Sequence, residues 1–261
     1  MSALRISLVQ QPLCWQDAAG NRSALGALLA PLAGTTDLVV LPETFTTGFS
    51  MQVAQLAEEP DGATLAWLRE QAAALDAAVT GSVITRVDGH YFNRLLFVLP
   101  SGEARHYDKR HLFRMGGEHE HFSAGRSAWS IPWRGMRICP LVCYDLRFPV
   151  FSRRRAQLEY ELLLYVANWP APRALAWRTL LRARAIENQC YVVGVNRVGR
   201  DGADVPYAGD SAVIDYLGQP LLELQDQAAV ATVGLEHARL AAFRERFPAH
   251  LDADAFTLEQ S

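Results

Sequence analysis

Three side chains in this sequence have the types needed for nucleophilic attack on a carbonyl carbon: Cys143, Glu43 and Lys109. Cys143 follows the apolar run Ile138 to Val142 and precedes a turn containing Asp145 and Arg147, so its sulfur falls at a strand-to-loop elbow. A thiol becomes a nucleophile when a base removes its proton and a cation or backbone N–H groups hold the oxygen that turns anionic. Glu43 follows Pro42 at the end of another apolar run, where a carboxylate is partly desolvated and available as a base. Lys109 is the only lysine among 25 basic residues. Its ammonium is a compact charge that can sit beside a reacting atom, which a wide planar guanidinium cannot. Taken singly, each has an ordinary reading as well: a packed cysteine, a loop glutamate, a solvated lysine in Tyr107-Asp108-Lys109-Arg110-His111. Cys139, on the same strand but deeper, reads as packing, and Cys14 and Cys190 carry no neighbouring signal.

The elements that must position these groups alternate between strand-like and helix-like segments, the pattern of a layered α/β protein. Strands are expected near Leu4 to Gln10, Asp37 to Pro42, Ala78 to Ile84, Leu95 to Leu99, Arg137 to Cys143, Leu162 to Asn168, Tyr191 to Arg197, Ser211 to Asp215 and Ala231 to Leu235. The clearest helix runs from Arg173 to Asn188 behind Pro172, and another covers Ala63 to Asp76. Leu38 to Leu41, Ile138 to Val142 and Leu162 to Val166 are continuous apolar runs, as in strands buried on both faces. They lead into Glu43, Cys143 and Asn168, and ligands of open α/β sheets bind beyond such strand ends. No linker or repeat divides the chain, so residues 1–261 read as a single domain.

Charge and composition narrow the partners. Half of the 261 residues are hydrophobic and the net charge is −3, which offers no electrostatic footprint for nucleic acid. No apolar run approaches the roughly 20 residues of a membrane span, and four scattered cysteines make neither a disulfide framework nor a zinc site, so a reducing cytoplasm is expected. His119-x-His121, flanked by Glu118 and Glu120, has ligand types but supplies only a pair, and no metal is expected. Arg153-Arg154-Arg155 reads as an exposed helix face.

Read together, Leu41-Pro42-Glu43-Thr44-Phe45, Tyr107-Asp108-Lys109-Arg110-His111-Leu112-Phe113 and Cys143-Tyr144-Asp145-Leu146-Arg147-Phe148-Pro149 resemble the nitrilase superfamily of carbon-nitrogen hydrolases, in its order. Weaker similarity continues through Ala167-Asn168-Trp169-Pro170, Arg184-Ala185-Ile186-Glu187-Asn188 and Gly209-Asp210-Ser211. The resemblance implies Cys143 as nucleophile, Glu43 as general base, Lys109 as the cation facing the oxyanion, and Glu118 rather than Glu120 as a second active-site glutamate. It also implies the Tyr144 N–H as a further oxyanion donor, a four-layer α/β/β/α sandwich, a homodimer paired through a helical face, and no cofactor. The chain looks most like the omega-amidase branch, which acts on short dicarboxylic acid monoamides such as 2-oxoglutaramate and 2-oxosuccinamate. A substrate of that kind needs a cation for its remote carboxylate. Arg147 and Arg173 are the candidates, Arg147 equally as a structural partner of Asp145; Phe45, Tyr91, Phe113 and Trp169 are expected to form the apolar wall. The alternatives are another branch, acting on N-carbamoyl compounds, deaminated glutathione or aliphatic amides, or a silent binding protein on the same fold.

Overall fold

The computed structural model describes residues 3–258. In chain order its elements are β1 (Leu4–Gln10), α1 (Ala18–Leu29), β2 (Leu38–Val40), α2 (Val53–Leu56), α3 (Ala63–Leu75), β3 (Ala78–Val87), β4 (His90–Val98), β5 (Ala104–Asp108), α4 (Glu118–His121), β6 (Ile131–Trp133) and β7 (Met136–Val142). There follow α5 (Pro149–Ser152), β8 (Leu162–Ala167), α6 (Ala174–Asn188), β9 (Tyr191–Asn196), β10 (Val198–Arg200), β11 (Pro206–Ala208), β12 (Ala212–Ile214), β13 (Pro220–Glu223), β14 (Ala229–Leu235) and α7 (His237–Arg246).

Two mixed sheets, β14-β1-β2-β3-β4-β5 and β13-β12-β9-β8-β7-β6, pack face to face with helices outside them, a four-layer α/β/β/α sandwich. Side-chain alternation along β2 shows how the layers are specified. Leu38 and Val40 point between the sheets, joining Ile6, Leu8, Ile138, Leu162 and Leu164 in the central core. Val39 and Leu41 point outward to Leu25 and Leu29 of α1 and Leu65, Leu68 and Leu75 of α3. On the other side Trp177 and Leu181 of α6 press against β9, where Gly194 leaves room for them: a Cβ there would stand 2.7 Å from Leu181. β2 in one sheet and β7 and β8 in the other, each with a parallel partner, are the short apolar strands expected to be buried on both faces, and every residue of β2 and β8 is buried.

Several boundaries differ from expectation for identifiable reasons. β3 and β4 extend to Val87 and from His90 because Asp88 and Gly89, at φ +49° and +79°, form a tight hairpin that pairs polar residues. The strands β5, β6, β10, β11 and β13 lack a buried apolar run, and β5, β6 and β13 lie at sheet edges. α6 begins at Ala174 because Ala171–Arg173 forms a separate 3-10 turn containing Pro172. Arg153-Arg154-Arg155 is not a helix face. α5 stops at Ser152, and the three arginines tie the following loop down, Arg153 Nη1 donating to the Glu187 carbonyl at 2.9 Å and Arg154 Nε to Glu159 at 2.8 Å.

Candidate active site

Glu43, Lys109 and Cys143 are brought together at the ends of β2, β5 and β7, with Asn168 arriving from the end of β8. The two sheets thus face each other with a carboxylate and an ammonium on one and a thiol on the other. Local backbone geometry sets the aim of two of these groups. Thr44 and Cys143 have φ of +40° and +43°, left-handed values that non-glycine side chains rarely adopt, so the chain turns abruptly at each. The Thr44 turn is pinned by the Ser82 hydroxyl, which accepts from the Thr44 N–H at 2.8 Å.

Lys109 Nζ stands 2.9 Å from Glu43 Oε1 and 2.9 Å from Glu118 Oε2, and all three side chains are almost completely buried. The amide of Asn93, on β4, donates to both carboxylates, at 2.8 Å to Glu43 and 3.3 Å to Glu118. Glu43 Oε2 accepts the Asn168 N–H at 2.7 Å, and the Cys143 thiol lines the same pocket as that carboxylate. Asn168 in turn donates its side-chain amide to the Glu43 carbonyl at 2.6 Å. Glu118 opens α4 and also accepts the Phe113 N–H, whereas Glu120 points to solvent.

Burial and neighbouring charge decide the proton positions. Burial acts to lower the Lys109 pKa, but the carboxylates of Glu118 and Glu43 outweigh it and hold the ammonium well above its ordinary value. Burial, reinforced by the Glu43 charge, pushes Glu118 up, with Lys109 opposing. Burial and Glu43 also push the Cys143 thiol well up. The resting sulfur is therefore a neutral thiol poised against a carboxylate, not a free thiolate.

Above the thiol opens a narrow cavity of about 40 Å³ lined by Glu43, Lys109, Cys143 and Asn168 and walled by Phe49, Phe113, Tyr144, Trp169 and Tyr207. Arg147 and Arg173 reach it as well, their guanidiniums 4.9 Å above the Trp169 ring and 5.2 Å above the Phe113 ring. Larger surface depressions elsewhere contain none of Glu43, Lys109, Cys143 and Asn168.

Of the expected wall residues, Phe113 and Trp169 line the cavity, but Phe45 and Tyr91 do not. Phe45 is turned outward by the Thr44 turn into the core beneath α3, 5.8 Å from Trp67. Tyr91 packs with Val53, Ile84 and Phe122 in a separate cluster. Arg147 is not the partner of Asp145, whose oxygens are taken by Tyr107, His111 and Val142. Sequence reasoning missed Phe49, Tyr207 and Asn93. An Asn amid the apolar residues of Phe92 to Val98 was a usable signal for the last of these, since a buried amide requires polar partners. Cys139 and Cys190 are buried and Cys14 is exposed, all as free thiols. Among the described residues no group of three or more His, Cys, Asp or Glu side chains could hold a metal ion.

This fold and site belong to a class that comparison identifies. The carbon-nitrogen hydrolase profile matches residues 5–245, and the chain is a member of that family. It is 49% identical over 259 residues to omega-amidase YafV of Yersinia enterocolitica, covering 99% of this chain and 100% of that one. It is 34% identical over 215 residues to the 2-oxoglutaramate amidase of Bacillus subtilis, covering 81% of this chain and 83% of that one. Among solved structures, XC1258 of Xanthomonas campestris, a CN-hydrolase superfamily protein with an arsenic adduct in its active site, superposes with a TM-score of 0.97. The two are 58% identical over 99% of this chain and 100% of that one.

Proposed function

We propose that this chain is an omega-amidase, hydrolysing the terminal amide of short dicarboxylic acid monoamides such as 2-oxoglutaramate and 2-oxosuccinamate to acid and ammonia. The observation that carries the chemistry is the convergence of the Cys143 thiol and the Glu43 carboxylate in one pocket, with Lys109 2.9 Å from that carboxylate. Cys143 Sγ attacks the amide carbon as its proton passes to Glu43. The carbonyl oxygen becomes anionic between Lys109 Nζ and the Tyr144 N–H, which lies in the first turn of the 3-10 helix Cys143–Arg147 and has no acceptor within it. The C–N bond breaks as Glu43 returns the proton to nitrogen, ammonia leaves, and a thioester remains on Cys143. Glu43 then takes a proton from water, whose oxygen attacks the thioester, while Glu118 holds Lys109. The acid departs and the proton returns to sulfur.

Substrate size and charge follow from the cavity. Arg147 and Arg173, each laid on an aromatic ring, are the cations for a remote carboxylate, and Phe49, Phe113, Trp169 and Tyr207 enclose the short carbon chain. Supporting the branch assignment is the full-length similarity to the Yersinia omega-amidase. We further propose that residues 1–261 act as one domain, a reading supported by the core shared between both sheets. Exposed Leu175 and Ile186 on α6 support pairing of two copies through a helical face, which light scattering would read as twice the 28.9 kDa chain mass. Four unbonded cysteines support a cytoplasmic setting.

The test is ammonia release from 2-oxoglutaramate, 2-oxosuccinamate, glutamine, asparagine and an N-carbamoyl amino acid, with Cys143→Ala as the blank. Release from the two oxo-acid amides that vanishes in the variant is the expected result. Turnover of only another amide would replace the substrate while keeping the thiol mechanism.

A further inference from the structure

Asp145 is completely buried, and neither of its oxygens touches the cavity residues whose chemistry is described above. It nevertheless makes four hydrogen bonds, as many as Glu118. Its Oδ2 accepts the Val142 N–H at 3.0 Å and the Tyr107 hydroxyl at 2.7 Å, while Oδ1 accepts the His111 N–H at 3.0 Å and faces His111 Nδ1 at 2.7 Å. Four donors match the lone-pair directions a carboxylate offers. Tyr107 closes the network by accepting the Arg110 N–H at 3.1 Å.

The arrangement of these bonds along the chain is what gives them meaning. Tyr107 and His111 stand two residues either side of Lys109; Val142 and Asp145 stand either side of Cys143 and Tyr144. No bond of the network involves the reacting atoms, yet every bond fixes backbone or side chain immediately beside them. The elbow needs such fixing, because Cys143 is held in a left-handed conformation that its own side chain disfavours. The His111 ring extends the clamp, stacked 3.8 Å from Phe148, which meets the Tyr144 ring edge-on at 5.2 Å.

We propose that Asp145, with Tyr107 and His111, is a positioning cluster that locks the Lys109 segment to the Cys143–Tyr144 elbow and so sets the spacing of ammonium, thiol and oxyanion N–H. This rests on the thiol mechanism proposed above and explains how two strand ends from different sheets keep a common register. Displacement of a reacting group by about 1 Å is enough to lower a rate about a hundredfold, so loosening the clamp acts on turnover before binding.

The experiment compares Tyr107→Phe, His111→Asn and His111→Leu with the wild-type protein. It measures kcat, KM, melting temperature and, by peptide mass spectrometry, the rate at which iodoacetamide alkylates Cys143. Tyr107→Phe keeps the ring and removes one donor to Asp145. Its kcat is expected to fall about tenfold or more with KM held within about threefold, and Cys143 alkylation to change by a comparable factor. His111→Asn keeps an N–H near the Nδ1 position and should retain kcat within about threefold, whereas His111→Leu keeps only apolar contact with Phe148 and should not. Wild-type kcat and alkylation rate in Tyr107→Phe, or equal losses in the two His111 variants, would overturn the clamp. If the wild-type protein hydrolyses none of the amides yet Cys143 alkylation changes in Tyr107→Phe, the clamp stands and the substrate reading falls.

Discussion

At the scale of single residues, the site depends on one cation shared by two buried carboxylates, and that sharing makes the residue types hard to exchange. Nζ of Lys109 satisfies Glu43 and Glu118 from a single point, 2.9 Å from each. A guanidinium would have to place a planar fork in the same space, so Lys109→Arg should lower kcat about a hundredfold or more while the protein still folds. Steady-state kinetics of the purified variant measure this directly. Lys109→Met leaves both carboxylates buried without a counter-charge and should cost about 3–5 kcal/mol of stability, read from urea unfolding. The carboxylates also shape the pH profile. Burial and the Glu43 charge hold Glu118 above the ordinary glutamate value of 4.5. Activity should therefore begin to fall at a pH above 4.5 as Glu118 takes up a proton, because the neutral acid no longer balances the Lys109 charge. Removing one charge in Glu118→Gln should move that acid limb of kcat/KM to lower pH.

At the scale of elements, the site exists because segments outside the strands hold the strand ends in place. The stretch after α4 returns alongside β5, where the Gly125 N–H donates to the Lys109 carbonyl at 2.9 Å. A Cβ on Gly125 would lie 1.9 Å from the Asp108 carbonyl oxygen, a backbone atom that cannot swing aside. Gly125→Ala should displace the Lys109 segment, costing about 1–3 kcal/mol in thermal or urea unfolding and lowering kcat more than it raises KM. The same reasoning explains why Phe45 is not a wall residue. Period-two alternation alone cannot foresee the reversal at Thr44, which follows from a hydroxyl on β3 capping the turn.

At the scale of the whole molecule, the central core protects many protons from release. Burial raises Cys139 and Tyr160, and pushes Cys190 and Tyr191 up to about 12, against ordinary values of 9.0 and 10.0. Lys109 is likewise held above 10.5, there by its carboxylates. The unfolded chain releases these protons first, so above about pH 9 it binds fewer than the folded protein and stability falls as pH rises. Urea midpoints measured at about pH 8 and about pH 10.5 should show the loss at the higher value, with a difference of at least about 2 kcal/mol. An unchanged midpoint would mean that these groups titrate alike in both states. Much of this molecule was legible in the linear sequence. Apolar runs marked the buried strands, and Glu43, Lys109 and Cys143 stood at strand ends in a recognisable order, because covalent order and side-chain periodicity are local properties; Glu118 was preferred to Glu120 only through the family resemblance. What only the tertiary structure decided was which side chains meet across the two sheets: Asn93 between the glutamates, Phe49 and Tyr207 in the cavity wall, Asp145 engaged by Tyr107 and His111 rather than by Arg147. Those contacts join residues tens to more than a hundred positions apart, and their geometry is set by how the sheets pack, which no local pattern encodes.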